Sequence, residues 1–412
     1  MVRLPVAVSA NPNRCGGHAP AGVETHHALT ENLGHPLEAV HADRRAHLNA
    51  KRTLRQRERE SRVLENPEKA KGIDTVLVTG AGGYIGTTLV PMLLGAGYRV
   101  RALDRFFFGR DLLPEHDALE IVIEDSRKLT EVHLEGVDAV IDLVAISNDP
   151  SGELFQEATY QINRDSRIRC AELAKAAGAK RYVLPSSCSI YGFQPAEVIA
   201  DETSPTNPLT TYAKANEAAE KGVLALADKK FCVVVLRQAT VYGLSPRMRF
   251  DLAINGMTEG AWKHGRLPLM RDGSQWRPMV HVRDTARAQA FMLHADAAKV
   301  NGEIFNVGSD ANTYQIGPLG QLVADIVPRD VVIDWYGDPD HRSYRVSFDK
   351  IEKLGWKAEM TAADGVREIC DALEAGTTAK TVKTITLEWY KELSKWRDIL
   401  RDVEMYGGIV EI

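Results

Sequence analysis

From Ile73 onward, short apolar runs alternate with stretches of helical periodicity. The apolar runs predict strands at 75–79, 98–103, 120–123, 138–144, 181–185 and 231–236. Two of them, Asp138 to Ala145 and Phe231 to Leu236, are almost continuously apolar. Strands buried on both faces look like that, so a parallel sheet is expected. The intervening segments, such as Asn163 to Ala177, read as helices that supply right-handed crossovers. The fold class that follows is α/β, a doubly wound parallel sheet. After about Arg237 the alternation gives way to longer loops and helices. That region is expected to form a smaller lobe over the carboxyl ends of the strands, with segments near 236–241 and 277–308 returning to the main sheet. The expected organisation is an N-terminal extension (1–72), a sheet domain (73–240), the smaller lobe (241–380) and a C-terminal docking helix (381–412). Apolar and aromatic residues at helical spacing between Trp389 and Leu400 support that last element.

The N-terminal extension has a different character. Residues 1–35 are rich in Gly, Pro, Asn and His and read as loop. Glu38 to Glu65 reads as a charged helix, with Glu58 and Arg62 four apart. It suits either a docking arm or a solvated surface helix. Composition narrows the partners. The 412 residues are 44% hydrophobic and 26% charged, with a formal net charge of −5, which suits a globular chain and argues against a nucleic-acid partner. No apolar run approaches the roughly 18 residues of a membrane span, and no compact secretion signal opens the chain. Five scattered cysteines (Cys15, Cys170, Cys188, Cys232, Cys370) form no CxxC pair. The expectation is a cytoplasmic protein with no metal site, His26 and His27 being solvated.

The strand at 75–79 runs into glycines at positions 1, 4 and 7 of a turn, Gly80, Gly83 and Gly86, and a helix follows. Gly80 permits a tight turn, Gly83 a close approach of backbone to a pyrophosphate, and Gly86 close packing of the helix on the sheet. The helix N-terminus offers free N–H groups and a positive dipole end to phosphate. The next strand ends in Asp104, about 20 residues on, where a carboxylate binds adenosine ribose hydroxyls. A dinucleotide is therefore expected. Asp104 argues for NAD because it repels a 2′-phosphate; the adjacent Arg105 keeps NADP open.

Two segments carry hydroxyls suited to chemistry: Pro185-Ser-Ser187-Cys-Ser-Ile-Tyr191-Gly after a strand, and Thr211-Tyr212-Ala-Lys214-Ala-Asn216 opening a helix. With the TGAGGYIG turn, Asp104, the Glu124-Asp125 pair, Asn163, LRQATVYG and Arg277-Pro-Met-Val-His-Val-Arg-Asp284, the chain resembles the extended short-chain dehydrogenase/reductase family over roughly 74–375. Within it, the resemblance is to the nucleotide-sugar epimerases and dehydratases. It implies a Rossmann fold, NAD, and hydride transfer between a sugar carbon and nicotinamide. Tyr212 is then the acid/base and Ser187 the hydroxyl that orients the reacting oxygen. It further implies cofactor contacts from Gly80, Gly83, Tyr84, Ile85, Gly86, Asp104, Asp125, Ser126 and Asn163, where a plain helix cap is a second reading for Asn163. Ser189, Arg249, Arg277 and Arg342 become substrate contacts, the arginines toward a nucleotide diphosphate, with Arg249 and Arg247 weaker candidates than Arg277 and Arg342 and Asn255 a cap or a contact. A homodimer packed through the helices after Asn163 and at Tyr212 is implied as well.

One residue departs from the family pattern. A tyrosine of pKa near 10 needs help to act as a base, and the family supplies a lysine four residues on. Here that position is Asn216, while Lys214 points to another side of the helix. Asn216 can hold a ribose but supplies no charge. Cys188-Ser189 also replaces the Asp-Glu pair of sugar dehydratases, so dehydration is not expected. Three functions stay open: a nucleotide-sugar epimerase or related sugar oxidoreductase, a ketoreductase that exchanges NAD(P) at each turnover, and a non-catalytic nucleotide-binding scaffold.

Overall fold

The computed structural model describes residues 68–403 apart from Ala196 and 339–342. The expected N-terminal arm, Cys15, the His26-His27 pair and Arg342 lie outside the described residues. The main sheet is built from β1 (Thr75–Thr79), β2 (Arg99–Asp104), β3 (Leu119–Ile123), β4 (Ala139–Asp142) and β5 (Arg181–Ser187). After the short β6 (Ile199–Ala200), β7 (Cys232–Gln238) rejoins it, β8 (Thr240–Tyr242), β9 (Arg266–Met270) and β10 (Trp276–His281) leave it, and β11 (Glu303–Val307) closes its edge. The order is β11-β7-β5-β4-β1-β2-β3 and every pairing is parallel. The chain leaves β1 toward β2 on one side and reaches β4 on the other. The crevice at their carboxyl ends is therefore the switch point where ligands of such sheets bind.

Burial follows strand position. Every residue of β4 and β7 is buried, whereas the edge strand β3 leaves Ile121 and Ile123 exposed. On one face, Leu89, Val90 and Leu93 of the helix Gly86–Gly95 pack with Ala286, Ala290 and Met292 of the helix Val282–His294. On the other, Cys170, Ala171 and Ala174 of the helix Arg167–Ala176 meet Ala219 and Val223 of the helix Thr211–Leu224. Each fully buried Leu or Val contributes about 1.5–3 kcal/mol, so the strand ends that carry the site sit on a rigid base. Of the segments expected to return to the sheet, 277–308 does so only through β11. β10 instead pairs in parallel with β8, and β12 (Thr313–Gln315) adds antiparallel to β10.

The smaller lobe packs Ile254, Leu267, Leu269, Leu319 and Val366 into its own core, with Trp262 as filling. The C-terminal helix Thr386–Val403 is only partly a docking helix. Trp389 Nε1 donates to the Phe107 carbonyl at 2.8 Å, and Tyr390 sits against Phe108 and Phe155. Its distal half exposes Trp396, Ile399 and Leu400.

Gly80 has φ +64°, and a Cβ there would stand 2.8 Å from the Leu143 and Val144 backbone. A Cβ on Gly86 would stand 2.5 Å from the carbonyl oxygens of Gly80 and Ala81. Gly86 is thus required by the turn itself rather than by the sheet. Gly80→Ala is expected to cost about 1–3 kcal/mol from left-handed strain alone, with the backbone contact adding to it; thermal unfolding would read this as a lowered Tm.

Candidate active site

A cavity of about 630 Å³ opens at the carboxyl ends of β1, β4, β5 and β7. On one side lies the glycine turn. The helix Gly86–Gly95 starts with no side-chain cap; its Thr87 and Thr88 amides bond the Gly83 and Ile85 carbonyls at 3.0 Å each, so what the helix start offers an anion is its positive dipole end. The Tyr84 side chain does not face that anion. Its hydroxyl donates to the Gly243 carbonyl at 2.6 Å and accepts from Asn255 Nδ2 at 3.1 Å. Asn255 Oδ1 accepts from Gly243 N at 2.9 Å, so this residue is a buried knot between sheet domain and lobe. Neither a cap nor a phosphate contact describes it.

Asp104 ends β2 and accepts from the amides of Gly82 (3.0 Å) and Phe106 (2.7 Å). Burial raises its pKa, and those amides oppose the rise. Arg105, the residue that kept NADP open, is committed elsewhere: it pairs with Asp125 at 3.1 Å and lies over the Phe107 ring. Asp125 also binds Arg127 at 2.6 Å, and Arg127 chiefly holds the Asp125 carboxyl down to about 2. Ser126 Oγ lies 3.1 Å from Ser166 Oγ. Asn163 is no helix cap. It sits in a π-helical turn, Gln161–Ser166, inside a continuous helix, and its amide both accepts from Ile146 N (2.8 Å) and donates to Ile146 O (3.0 Å). It thereby fixes the loop after β4 that lines the cavity.

The hydroxyls stand opposite the glycine turn. Ser187 is the last residue of β5, and its Oγ accepts from Ser189 N at 3.1 Å. Ser189 Oγ is buried, lines the cavity and has no hydrogen-bond partner among the described residues. Cys188 points away: its thiol is fully buried against the Arg237 carbonyl, and burial pushes it up, so it is structural. Behind this segment Arg237 and Glu220 form a buried ion pair at 2.8 Å, and Ser186 donates to the same carboxylate.

Tyr212 lies in the first turn of the helix Thr211–Leu224. Thr210 caps that helix, accepting from Ala213 N at 3.2 Å, and donates to Asp149 at 2.7 Å; Glu153 accepts from Thr211 N at 2.6 Å. Lys214 is exposed, as its spacing required. Asn216 is buried, and its Oδ1 accepts from Arg167 Nη1 at 2.8 Å. Arg167 also donates to the Val144 carbonyl at 2.9 Å and lines the cavity. Burial raises the Tyr212 pKa. The Arg167 charge leads the opposing effects, joined by hydrogen bonding with Ser187 and Asn216, while Asp149 adds to the rise.

Two buried arginines at the cavity wall stand out less in the sequence than in the structure. Arg167 carried one signal, an arginine one turn past Asn163 in a segment that packs on the sheet. Arg247, rated below its neighbours, is 4% exposed and lies 3.6 Å over the Phe108 ring. Its Nη2 meets Thr386 at 3.0 Å, but Nε and Nη1 have no partner among the described residues. Burial lowers its pKa to about 9, with Arg249 adding to the effect. Such a cation calls for an anion. Arg249 already has one, Asp251 at 2.7 Å, and reaches Ser147 at 3.1 Å. Arg277 lines the cavity beside the Tyr344 ring.

Residues 76–308 match the NAD dependent epimerase/dehydratase family. The chain belongs to that family. It is therefore an NAD-dependent enzyme, a nucleotide-sugar epimerase or related sugar oxidoreductase. It is 28% identical to the human UDP-glucose 4-epimerase over 351 residues, which covers 73% of this chain and 95% of that protein. The putative UDP-glucose 4-epimerase of Methanocaldococcus jannaschii is 25% identical over 312 residues, 71% of this chain and 96% of the relative. Among solved structures, MoeE5 in complex with UDP-glucuronic acid and NAD superposes with a TM-score of 0.64 at 27% identity, over 73% of this chain and 99% of that one. These relatives favour neither the exchanging ketoreductase nor the scaffold. No helix among the described residues is long and apolar enough to cross a membrane, and no group of His, Cys, Asp or Glu among them could hold a metal ion.

Proposed function

We propose that this enzyme is a UDP-sugar 4-epimerase that retains its NAD and acts as a cytoplasmic homodimer. The observation that carries the reading is one cavity lined by both the glycine turn and the Ser187–Tyr212 pair. The residues present fit a dinucleotide: the uncapped helix start and the unpartnered Arg247 for its pyrophosphate, and Asp104 for a ribose. Arg247 belongs on this side because its segment is tied to the helix start, with Ser245 Oγ 3.0 Å from Thr87 Oγ1. Tyr84, Ile85 and Asn163 contribute through backbone and loop placement, and Asp125 with Ser126 borders the adenine. NAD, when bound, accepts and returns hydride and adds positive charge beside Tyr212.

The chain's own groups do the rest. Tyr212 takes the proton of the sugar hydroxyl and later returns it. Ser187 holds the reacting oxygen, and Ser189 offers a dry hydroxyl to the sugar. Arg277 and Arg249 line the cavity and are assigned to the nucleotide diphosphate, as Arg342 is by family resemblance. Rotation of the keto sugar between the two transfers inverts the carbon. The test is proton NMR of UDP-glucose and UDP-galactose, and of the corresponding uronic acids, incubated with enzyme and no added cofactor. Interconversion of one pair is expected; turnover that requires added NADH or NADPH would overturn the reading. Arg247→Met is expected to weaken NAD binding about tenfold or more, the loss of a charged hydrogen bond of about 1.5–3 kcal/mol, as read by calorimetry on stripped protein.

A further inference from the structure

We infer that Arg167 is the positive charge that sets Tyr212, working from the neighbouring helix through Asn216 in place of a lysine on Tyr212's own helix. The inference rests on the reading of Tyr212 as acid/base. Three observations carry it.

The first is that Arg167 is a buried cation whose partners are neutral. It is 2% exposed, and its hydrogen bonds go to the Val144 carbonyl and the Asn216 amide oxygen. No carboxylate among the described residues lies within ion-pair distance of it. Buried charges are ordinarily paired; the carboxylate in the Arg167 field on the sheet side, Asp142, is bound by Thr79 and Tyr182, so at the cavity wall the field of Arg167 also acts on Tyr212. The second is the amide itself. Because a guanidinium can only donate, Arg167 fixes which end of Asn216 is oxygen. Asn216 Nδ2 is then left buried without a hydrogen bond of ordinary geometry, although it is close enough to lower the Tyr212 phenol. The third is mutual exclusion. A lysine at 216 would bring its ammonium against a guanidinium that now stands 2.8 Å from the Asn216 oxygen. Arginine at 167 and asparagine at 216 therefore form one device. The π-helical turn Gln161–Ser166, a local insertion into helical register, immediately precedes Arg167 and sets its direction.

The charged groups around the phenol are few. Arg167 faces it from the helix Arg167–Ala176, and Asp149 opposes from the helix Asp149–Leu154. Asp142, at the end of β4, faces Arg167 instead and is bound by Thr79 and Tyr182. Glu153 accepts from Thr211 N at the helix start, and Lys214 is turned to solvent. Removing Arg167 thus leaves Asp149 as the dominant charge and moves the phenol upward.

The test places a fluorinated tyrosine at position 212 in the NAD-loaded enzyme and follows its titration by fluorine NMR, beside the pH profile of kcat. Arg167→Met is expected to raise the phenol pKa by about one to three units, or beyond the alkaline unfolding limit, and to shift the kcat profile with it. Arg167→Lys recovers part of the shift. Asn216→Lys alone lowers turnover and Tm, whereas Arg167→Met with Asn216→Lys regains both, because one cation again faces Tyr212. Circular dichroism and bound NAD report folding; should Arg167→Met not fold, the lysine and double variants carry the test. A phenol titration unmoved by loss of Arg167, or an Asn216→Lys effect that is the same in both backgrounds, overturns the inference. Absence of UDP-sugar turnover by the unsubstituted enzyme would defeat the functional reading instead, and the titration would still decide the role of Arg167.

Discussion

Tyr212→Phe is expected to reduce kcat about 10²- to 10⁴-fold, the usual contribution of a positioned acid/base, while NAD content and Tm stay near those of the parent. The phenol oxygen is the only atom lost. The Cβ and backbone of Tyr212 remain against Gly152, where an added Cβ would stand 3.1 Å from the Tyr212 Cβ. The helix start is held by Thr210, Glu153 and Asp149, none of which uses the phenol. Ser187→Ala should cost less, because Ser187 orients the oxygen without exchanging its proton. The check is steady-state kinetics with cofactor content measured on the same samples. A Tyr212→Phe enzyme that keeps more than half of its kcat would remove Tyr212 from the chemistry.

Glu220→Ala is expected to destabilise the fold by about 3–5 kcal/mol, the cost of leaving a buried charge without its partner. Arg237 and Glu220 are 5% and 2% exposed, and three guanidinium hydrogen bonds join them. Glu220 also accepts from Ser186, next to Ser187, and Arg237 donates to the Tyr191 hydroxyl at 3.0 Å. Loss of the carboxylate therefore reaches the strand end that holds Ser187, and activity should fall with stability. Glu220→Gln, which keeps the shape and one acceptor, is expected to be milder. Urea unfolding of the three proteins measures this directly; equal midpoints for parent and Glu220→Ala would show the pair to be neutral.

The sheet was legible because its strands are apolar on both faces, and the glycine turn because φ +64° at Gly80 has few alternatives to glycine. Strand ends were less so. The reading stopped β5 at 185, two residues before Ser187, since a serine pair breaks the apolar run although the backbone continues to pair with β7. The buried bonding of Asn163 to the loop after β4 is not legible, because a π-helical turn leaves no mark in apolar periodicity. Asn216 is legible in the sequence as a neutral residue where the family pattern has lysine. Its replacement could not be read, because Arg167 lies 49 residues earlier and only the packing of two helices brings them together. Arg247 is inconspicuous for a related reason: sequence shows an arginine, whereas only the fold shows its burial with two unpartnered nitrogens among the described residues.

The central claim is an enzyme that keeps its own NAD for internal redox on a UDP-sugar. Mass spectrometry of small molecules released from freshly purified, heat-denatured protein tests it most directly. NAD at close to one equivalent per chain is expected, accompanied by a uridine nucleotide sugar when one co-purifies. NADP in its place, or a protein that is empty and binds NADH only in passing during turnover, would contradict it.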